Sequence, residues 1–175
     1  MNDTKNIIAI SGKQYSGKDT VAELLLKYMP EYKRIGIGDA IKIKLAEQKG
    51  ISLNEIYNNK HLYREELIRL GNWGRSISPD YWLNNLTGFS NIIVPDLRMV
   101  YEMEYFKSKG AILLRVEASF ETRSKRGVIV SNQDATETSL DNYNKWDYII
   151  ENNSTYEYLD DKVQKLAEAI LHRNY

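Results

Sequence analysis

The run Gly12-Lys13-Gln14-Tyr15-Ser16-Gly17-Lys18-Asp19-Thr20 sets two glycines and a lysine at the spacing Gly-x-x-x-x-Gly-Lys. Glycines let a chain wrap closely around an anion, and the lysine reaches inward to meet it. In such a loop the backbone N–H groups and the dipole of the following helix point at the oxygens of a triphosphate. The motif is short, so its flanks decide its meaning. An apolar run, Ile7-Ile8-Ala9-Ile10, precedes it, and a helix-like run from Thr20 to Met29 follows. Strand, glycine loop and helix in that order make a phosphate-binding loop for a nucleotide. A Gly-rich turn without chemistry would account for the glycines but leave Lys18 unexplained.

The residue after the lysine is normally Ser or Thr, whose hydroxyl binds Mg²⁺. Here it is Asp19, with Thr20 one place later. A carboxylate in a first helical turn suits the helix dipole. Beside phosphates it is repelled unless a metal sits between them, so Asp19 is expected to meet Mg²⁺ directly or through water.

Other residues that suit phosphate chemistry lie downstream. Asp96 ends the apolar run Asn91-Ile92-Ile93-Val94-Pro95. An acid at the tip of a third strand suits a metal-bound water or the orientation of an acceptor. Arg98, two residues on, is a candidate phosphate contact. Arg123 and Arg126 share a helical face, with Lys125 beside them. Paired guanidiniums neutralise the charge that develops in phosphoryl transfer. Between the second and third strands, Asp39, Lys42, Lys60, Arg64, Arg75 and the downstream Arg98 are candidates for holding an acceptor, with Arg69 also nearby. Glu65 and Glu66 interleave with these cations, so surface ion pairing accounts for part of the set. Tyr63, Trp73 and Tyr81 either stack on a base or fill a small core, and Trp82 is expected in the core. His61 and His172 are isolated and read as surface residues.

The elements that must position these residues alternate. Strands are expected at Asn6–Ser11, Tyr32–Ile37, Asn91–Pro95, Ala111–Val116 and Trp146–Glu151. Helices are expected over Thr20–Met29, Ile41–Gln48, Lys60–Arg75, Val100–Lys109, Phe120–Arg126 and Thr155–His172, with short ones after Ser52 and Ser78. Val128–Thr138 is polar and expected to be irregular. Unbroken apolar strands alternating with helices imply a parallel sheet covered on both faces. Right-handed crossovers then bring the loop, the end of the third strand and the turn after the fifth to one carboxyl edge. A single domain over 1–175 is expected, with a core at 1–38 and 90–175, a helical lobe at 39–89 and a lid at 120–138.

Lys plus Arg balance Asp plus Glu, 24 against 24, so no global field draws the chain to nucleic acid or membrane. There is no cysteine, which excludes disulfides and thiolate metal sites. No apolar run approaches a membrane span, and a soluble, cytoplasmic protein is expected.

Ser11-Gly12-x-x-x-Ser16-Gly17-Lys18-Asp19-Thr20 resembles the loop of phage deoxynucleoside monophosphate kinases and that of animal-type phosphomevalonate kinases. Both carry Asp after the lysine. Arg64, Ile68, Leu70 and Gly71, followed by Asp80 and Trp82, are similar to the phage kinases. So is Val94-Pro95-Asp96-x-Arg98-x-x-x-Glu102-Met103, running on to Gly110-Ala111. Gln133-Asp134-Ala135-Thr136-Glu137-Thr138-x-Leu140-Asp141 and Asp147-x-x-Ile150-x-Asn152-Asn153 are shared in outline by both families. Leu140-Asp141-Asn142-Tyr143, Arg123-x-x-Arg126-Gly127 and the compact insertion are closer to phosphomevalonate kinases.

The resemblance implies a three-layer α/β P-loop fold of the nucleoside-monophosphate-kinase type, with a five-stranded parallel sheet, a helical insertion lobe and a lid. It implies ATP and Mg²⁺ at Gly12–Thr20, with Lys18 and Asp19 serving both and Asn152 beside the adenine. Asp96 and Arg98 would lie at the reaction centre, Arg123 and Arg126 in the lid, and Lys42, Arg64 and Arg75 facing the acceptor. The implied function is transfer of the γ-phosphoryl group of ATP to the phosphate of a (deoxy)nucleoside monophosphate. Phosphomevalonate is the alternative acceptor, and a nucleotide switch without acceptor the more distant one. The protein would be a monomer or homodimer without nucleic-acid or membrane partners. One departure stands out: both families usually place basic residues where this chain has Gln14 and Tyr15, with Lys13 the nearest replacement.

Overall fold

The structure, a computed structural model, describes residues 6–60, 62–86, 88–130 and 132–173, with Arg64 described by its backbone alone. The chain divides into two compact units, one of Met1–Arg34 with Ser90–Tyr175 and the other of Ile35–Phe89.

The first unit carries an all-parallel sheet of five strands in the order β2-β3-β1-β4-β5. These are β1 (Ile7–Ser11), β2 (Lys33–Arg34), β3 (Ile92–Leu97), β4 (Ile112–Glu117) and β5 (Tyr148–Glu151). β1 lies in the middle between β3 and β4, with Ser11 opposite both Leu97 and Arg115. Its unbroken Ile-Ile-Ala-Ile run is buried because both sheet faces are covered. One face packs Ile8, Ile10, Ile93, Leu114, Val116 and Ile150 against α1 (Lys18–Tyr28) and α9 (Tyr156–Arg173). α6 (Val100–Ser108) packs on β1 and β4 and buries Met103 and Phe106. Two short helices follow β4: α7 (Phe120–Arg126) and α8 (Ala135–Thr138).

The second unit holds α2 (Ile37–Lys49), α3 (Leu53–Asn58), α4 (Arg64–Ile77) and α5 (Tyr81–Asn84). Ser52 caps α3 by accepting the Glu55 N–H at 3.1 Å, as its spacing predicts. Trp82 is the core of this unit, 2% exposed, and its indole N–H donates to Gly71 C=O at 3.0 Å. Gly74 must lack a side chain, because a Cβ there would meet the Trp82 ring at 2.5 Å. His172 is exposed, as expected, and His61 lies outside the described residues.

The boundaries differ from expectation where a local hydrogen bond wins over propensity. The expected strand Tyr32–Ile37 shrinks to Lys33–Arg34, an edge strand paired with β3 alone. The Gly36 N–H goes to Asp39 Oδ2 at 2.7 Å, so α2 starts at Ile37 and not at Ile41. Gly50 ends α2 in the left-handed region (φ 64°), and Ile51 N–H returns to Ala46 C=O. α4 starts at Arg64, four residues later than expected. The polar 128–138 stretch contains α8, which Asp134 caps by accepting the Thr136 N–H.

Candidate functional site

The loop leaves β1 at the centre of the sheet, at its carboxyl edge, and turns into α1 at Gly17. Gly17 sits at φ 100°, and a Cβ on it would strike the Asn152 side-chain amide. A Cβ on Gly12 would come within 2.5 Å of both Ser16 Oγ and Val116 C=O. The backbone is therefore drawn in on itself, which only glycine allows at these two places. Tyr15 also holds a left-handed φ of 59°, uncommon for a residue with a side chain and a mark of strain at functional loops.

Lys18 is 8% exposed and its ammonium donates to Lys13 C=O at 3.1 Å. Burial, then the Arg98 and Arg115 guanidiniums, pull its pKa down to about 8, against the opposing carboxylates of Glu137 and Asp19. Ser16 Oγ is buried with no hydrogen-bond partner among the described residues. A desolvated cation and an unpaired hydroxyl at the foot of a glycine loop suit an anion. A cleft of about 420 Å³ opens beside them, lined by Gln14, Tyr15, Gly17, Lys18, Asp19, Thr20, Arg98 and Arg126. Asp19 is exposed and pairs with Arg34 at 2.8 Å. Asp96 lies half-buried near the end of β3.

The expected arginines reach the loop by separate routes. Arg123 is buried and donates from Nη1 to Gln14 C=O at 3.3 Å. Arg126 donates to Tyr15 C=O at 3.2 Å and to Asn152 C=O at 2.8 Å. Asn152 in turn donates its side-chain N–H to Ser16 C=O at 2.8 Å. Arg98 meets Glu137, whose carboxylate accepts from Arg98 Nη1 at 3.2 Å and from Gln14 N–H at 2.8 Å. Glu102 fixes the backbone before it, accepting the N–H groups of Arg98 and Met99. Burial pushes the Glu102 carboxyl up, partly offset by those two hydrogen bonds. Lys13, the nearest basic replacement for Gln14 and Tyr15, pairs instead with Asp141 at 2.8 Å.

In the second unit, Asp39 and Lys42 form a compact cluster. Asp39 accepts from Tyr57 O–H at 2.6 Å and from Lys42 Nζ at 2.9 Å, besides the Gly36 N–H. Burial raises the Asp39 pKa, but the bonds from Tyr57, Lys42 and Gly36 outweigh it and the net shift is downward. Lys42 also lies over the Tyr57 ring, 4.8 Å from its centroid. Lys60 and Arg75 are exposed elsewhere on this unit, Arg75 bonded to Asn72 at 2.9 Å. The Arg64 side chain lies outside the described residues.

A family model for phosphomevalonate kinase matches residues 10–111, and one for deoxynucleotide monophosphate kinase matches residues 65–163. Each spans more than half of the chain. The chain belongs to these P-loop kinase families. Solved structures of the same fold include shikimate kinase from Acinetobacter baumannii in complex with shikimate, 18% identical with a TM-score of 0.56, covering 97% of this chain and 94% of that one. Shikimate kinase from Aquifex aeolicus is 16% identical, with a TM-score of 0.54 and coverage of 95% and 98%. A gluconokinase from Sinorhizobium meliloti is 14% identical, with a TM-score of 0.52 and coverage of 98% and 99%. At these identities the likeness establishes the fold, and the family matches establish a P-loop small-molecule kinase, a phosphotransferase.

In this P-loop kinase, Glu137, Arg115 and Tyr57 lie among the candidate residues although their spacing did not single them out. Glu137 stands three residues after Asp134, a helix-start pattern that hides a carboxylate directed at the loop. Arg115 interrupts the apolar run of β4, and a buried charge there needs partners. It finds Ser11 Oγ at 2.9 Å, with Glu117 and Asp141 within 4 Å. Among the described residues no helix is long and apolar enough to cross a membrane.

With Lys18 in the nucleotide loop, its depressed pKa is expected to make nucleotide binding pH-dependent. An anion in the loop favours the ammonium, so binding takes up a proton when the pH is near or above about 8. Affinity for ATP is expected to be flat below pH 7 and to fall as pH rises through 8. Calorimetric titration in buffers of different ionisation enthalpy measures that uptake directly; none at pH 8.5 would contradict the burial of Lys18.

Proposed function

We propose that this kinase transfers the γ-phosphoryl group of Mg·ATP to the phosphate of a (deoxy)nucleoside monophosphate, giving the diphosphate. The observation that carries this is the set of cations around Gly12–Thr20: Lys18 at the foot of the loop, with Arg98 and Arg126 lining the same cleft. Phosphoryl transfer to a phosphate needs little covalent help from the protein. It needs alignment and neutralisation of charge on the attacking, transferring and leaving oxygens. The loop's N–H groups and Lys18 would hold the triphosphate, and Arg98 would sit at the reacting phosphoryl. Arg123 and Arg126 would meet the developing charge from the 120–138 segment, and Asn152 would border the adenine.

Asp19 and Asp96 are the carboxylates suited to Mg²⁺. No cluster of three His, Asp or Glu suited to a metal occurs among the described residues. Mg²⁺ needs only one or two carboxylates and takes its remaining ligands from phosphate oxygens and water, so Asp19, which lines the cleft, would serve alone or through water. A bound metal would supply neutralisation of the triphosphate's charge. In the unit Ile35–Phe89, Lys42, held by Asp39 and Tyr57, is the proposed acceptor-phosphate contact, with Lys60, Arg64 and Arg75 as further candidates. The half-exposed rings of Tyr57 and Trp73 supply faces on which a base can stack.

Phosphomevalonate is the second reading, favoured by a specific observation. The phosphomevalonate kinase match includes the loop and all of Ile35–Phe89, whereas the deoxynucleotide kinase match begins at residue 65. An ADP-release assay with each dNMP, each NMP and phosphomevalonate separates the two. Turnover is expected with at least one nucleoside monophosphate. Turnover with phosphomevalonate alone would overturn the first reading, and ATP hydrolysis indifferent to every acceptor would point to a nucleotide switch.

A further inference from the structure

Gln14 and Tyr15 stand where related loops carry basic residues, and their polar groups are turned toward one stretch of chain. The Gln14 side-chain amide pairs with the backbone of Val130 in both directions. Its Nε2 donates to Val130 C=O at 2.5 Å, and its Oε1 accepts the Val130 N–H at 3.3 Å. Its own N–H goes to Glu137, and its C=O accepts from Arg123. All four hydrogen-bonding groups of Gln14 thus end on residues between 123 and 137. Tyr15 continues the seam. Its C=O accepts from Arg126, and its ring lies so close to Gly127 that any Cβ there would strike it.

We infer that Gln14 and Tyr15 are positioning residues that fasten the 123–137 segment to the phosphate loop and thereby hold Arg123 and Arg126 in place before nucleotide binds. The chain thus supplies the missing loop charge from the lid. Arg123 itself points to this use. It is 4% exposed, and its Nε has no hydrogen-bond partner among the described residues. A buried guanidinium with an unspent N–H beside a phosphate loop is suited to an arriving anion. The Gln14–Val130 and Arg126–Tyr15 bonds are exposed side-chain to backbone pairs, each of modest net strength, so removing one is expected to loosen the segment without unfolding the protein.

The inference rests on the kinase function proposed above, but its first test does not. Gln14→Leu removes the pairing with Val130 and leaves the backbone unchanged. Gln14→Lys places a basic residue mid-loop, as the resembled families usually have. In the free protein, both are expected to speed hydrogen exchange across the Val128–Val130 amides by roughly tenfold while the thermal midpoint stays put. Unchanged exchange in both variants would overturn the inference.

In turnover, both variants are expected to lower kcat by roughly tenfold with KM for ATP nearly constant. Both should also raise the share of ATP lost to water, because a loose lid admits solvent. A role confined to charge predicts the reverse for Gln14→Lys, so transfer by that variant at or above the parent rate would overturn the inference. If the parent itself transfers nothing, the proposed function fails while the exchange measurement still decides the fastening.

Discussion

Lys18→Ala is expected to lower phosphoryl transfer by roughly two to three orders of magnitude without lowering the thermal midpoint. Lys18 is a buried cation at the end of the loop, and its charge is desolvated before any nucleotide arrives. Removing one donor aimed at developing charge in a water-poor site costs that much in rate. Stability should respond in the opposite sense. The folded pKa near 8 is below the unfolded value of 10.5, so keeping Lys18 charged opposes folding below pH 8. That penalty is relieved as pH rises from about 8 to 10.5, where the unfolded chain binds more protons than the native one. Alanine lifts the penalty at every pH, and the variant should match or exceed the parent's midpoint at pH 7. A variant that is inactive because it is unfolded would show a lowered midpoint, and one that retains activity would mean that Lys18 does not serve the phosphates.

Arg98→Ala is expected to reduce kcat by roughly a hundredfold and to shift the alkaline edge of nucleotide binding upward. Both effects follow from position. Arg98 lines the cleft beside Gln14 and Lys18, and its charge is the second-largest cause of the lowered Lys18 pKa, after burial. On the proposed function, deleting it would weaken charge neutralisation at the reacting phosphoryl and let Lys18 keep its proton to higher pH. A purely structural residue would depress rate and stability together and leave that edge where it was. Profiles of ATP affinity against pH for the parent and Arg98→Ala measure the shift; an unmoved or downward edge would contradict the assignment.

The parallel strands and the loop were legible because each rests on strong local chemistry. β1 is an unbroken apolar run that only a doubly covered parallel strand explains, and Gly12, Gly17 and Lys18 have no other economical use. α7 was equally plain, since Ser119 caps it and Gly127 follows it. The start of α2 was not. One bond from the Gly36 N–H to the Asp39 carboxylate moved it four residues, and nothing in the pattern of apolar residues encodes that bond. Glu137 was hidden for a related reason, because it stands in a polar stretch that reads as irregular, and only the bond from the Gln14 N–H ties it to the loop. The mid-loop departure was legible as a departure only. Gln14 and Tyr15 acquire their meaning from Val130 and Gly127, more than a hundred residues away, and no local pattern carries a contact of that range.

The most direct test of the account follows the γ-phosphorus itself. With ATP labelled at the γ-position and a deoxynucleoside monophosphate, the enzyme is expected to deliver the label to the β-position of the diphosphate in a single turnover. Lys18→Ala should deliver it roughly a hundredfold or more slowly. Label released only as inorganic phosphate across the full set of nucleoside monophosphates would contradict the proposed transfer.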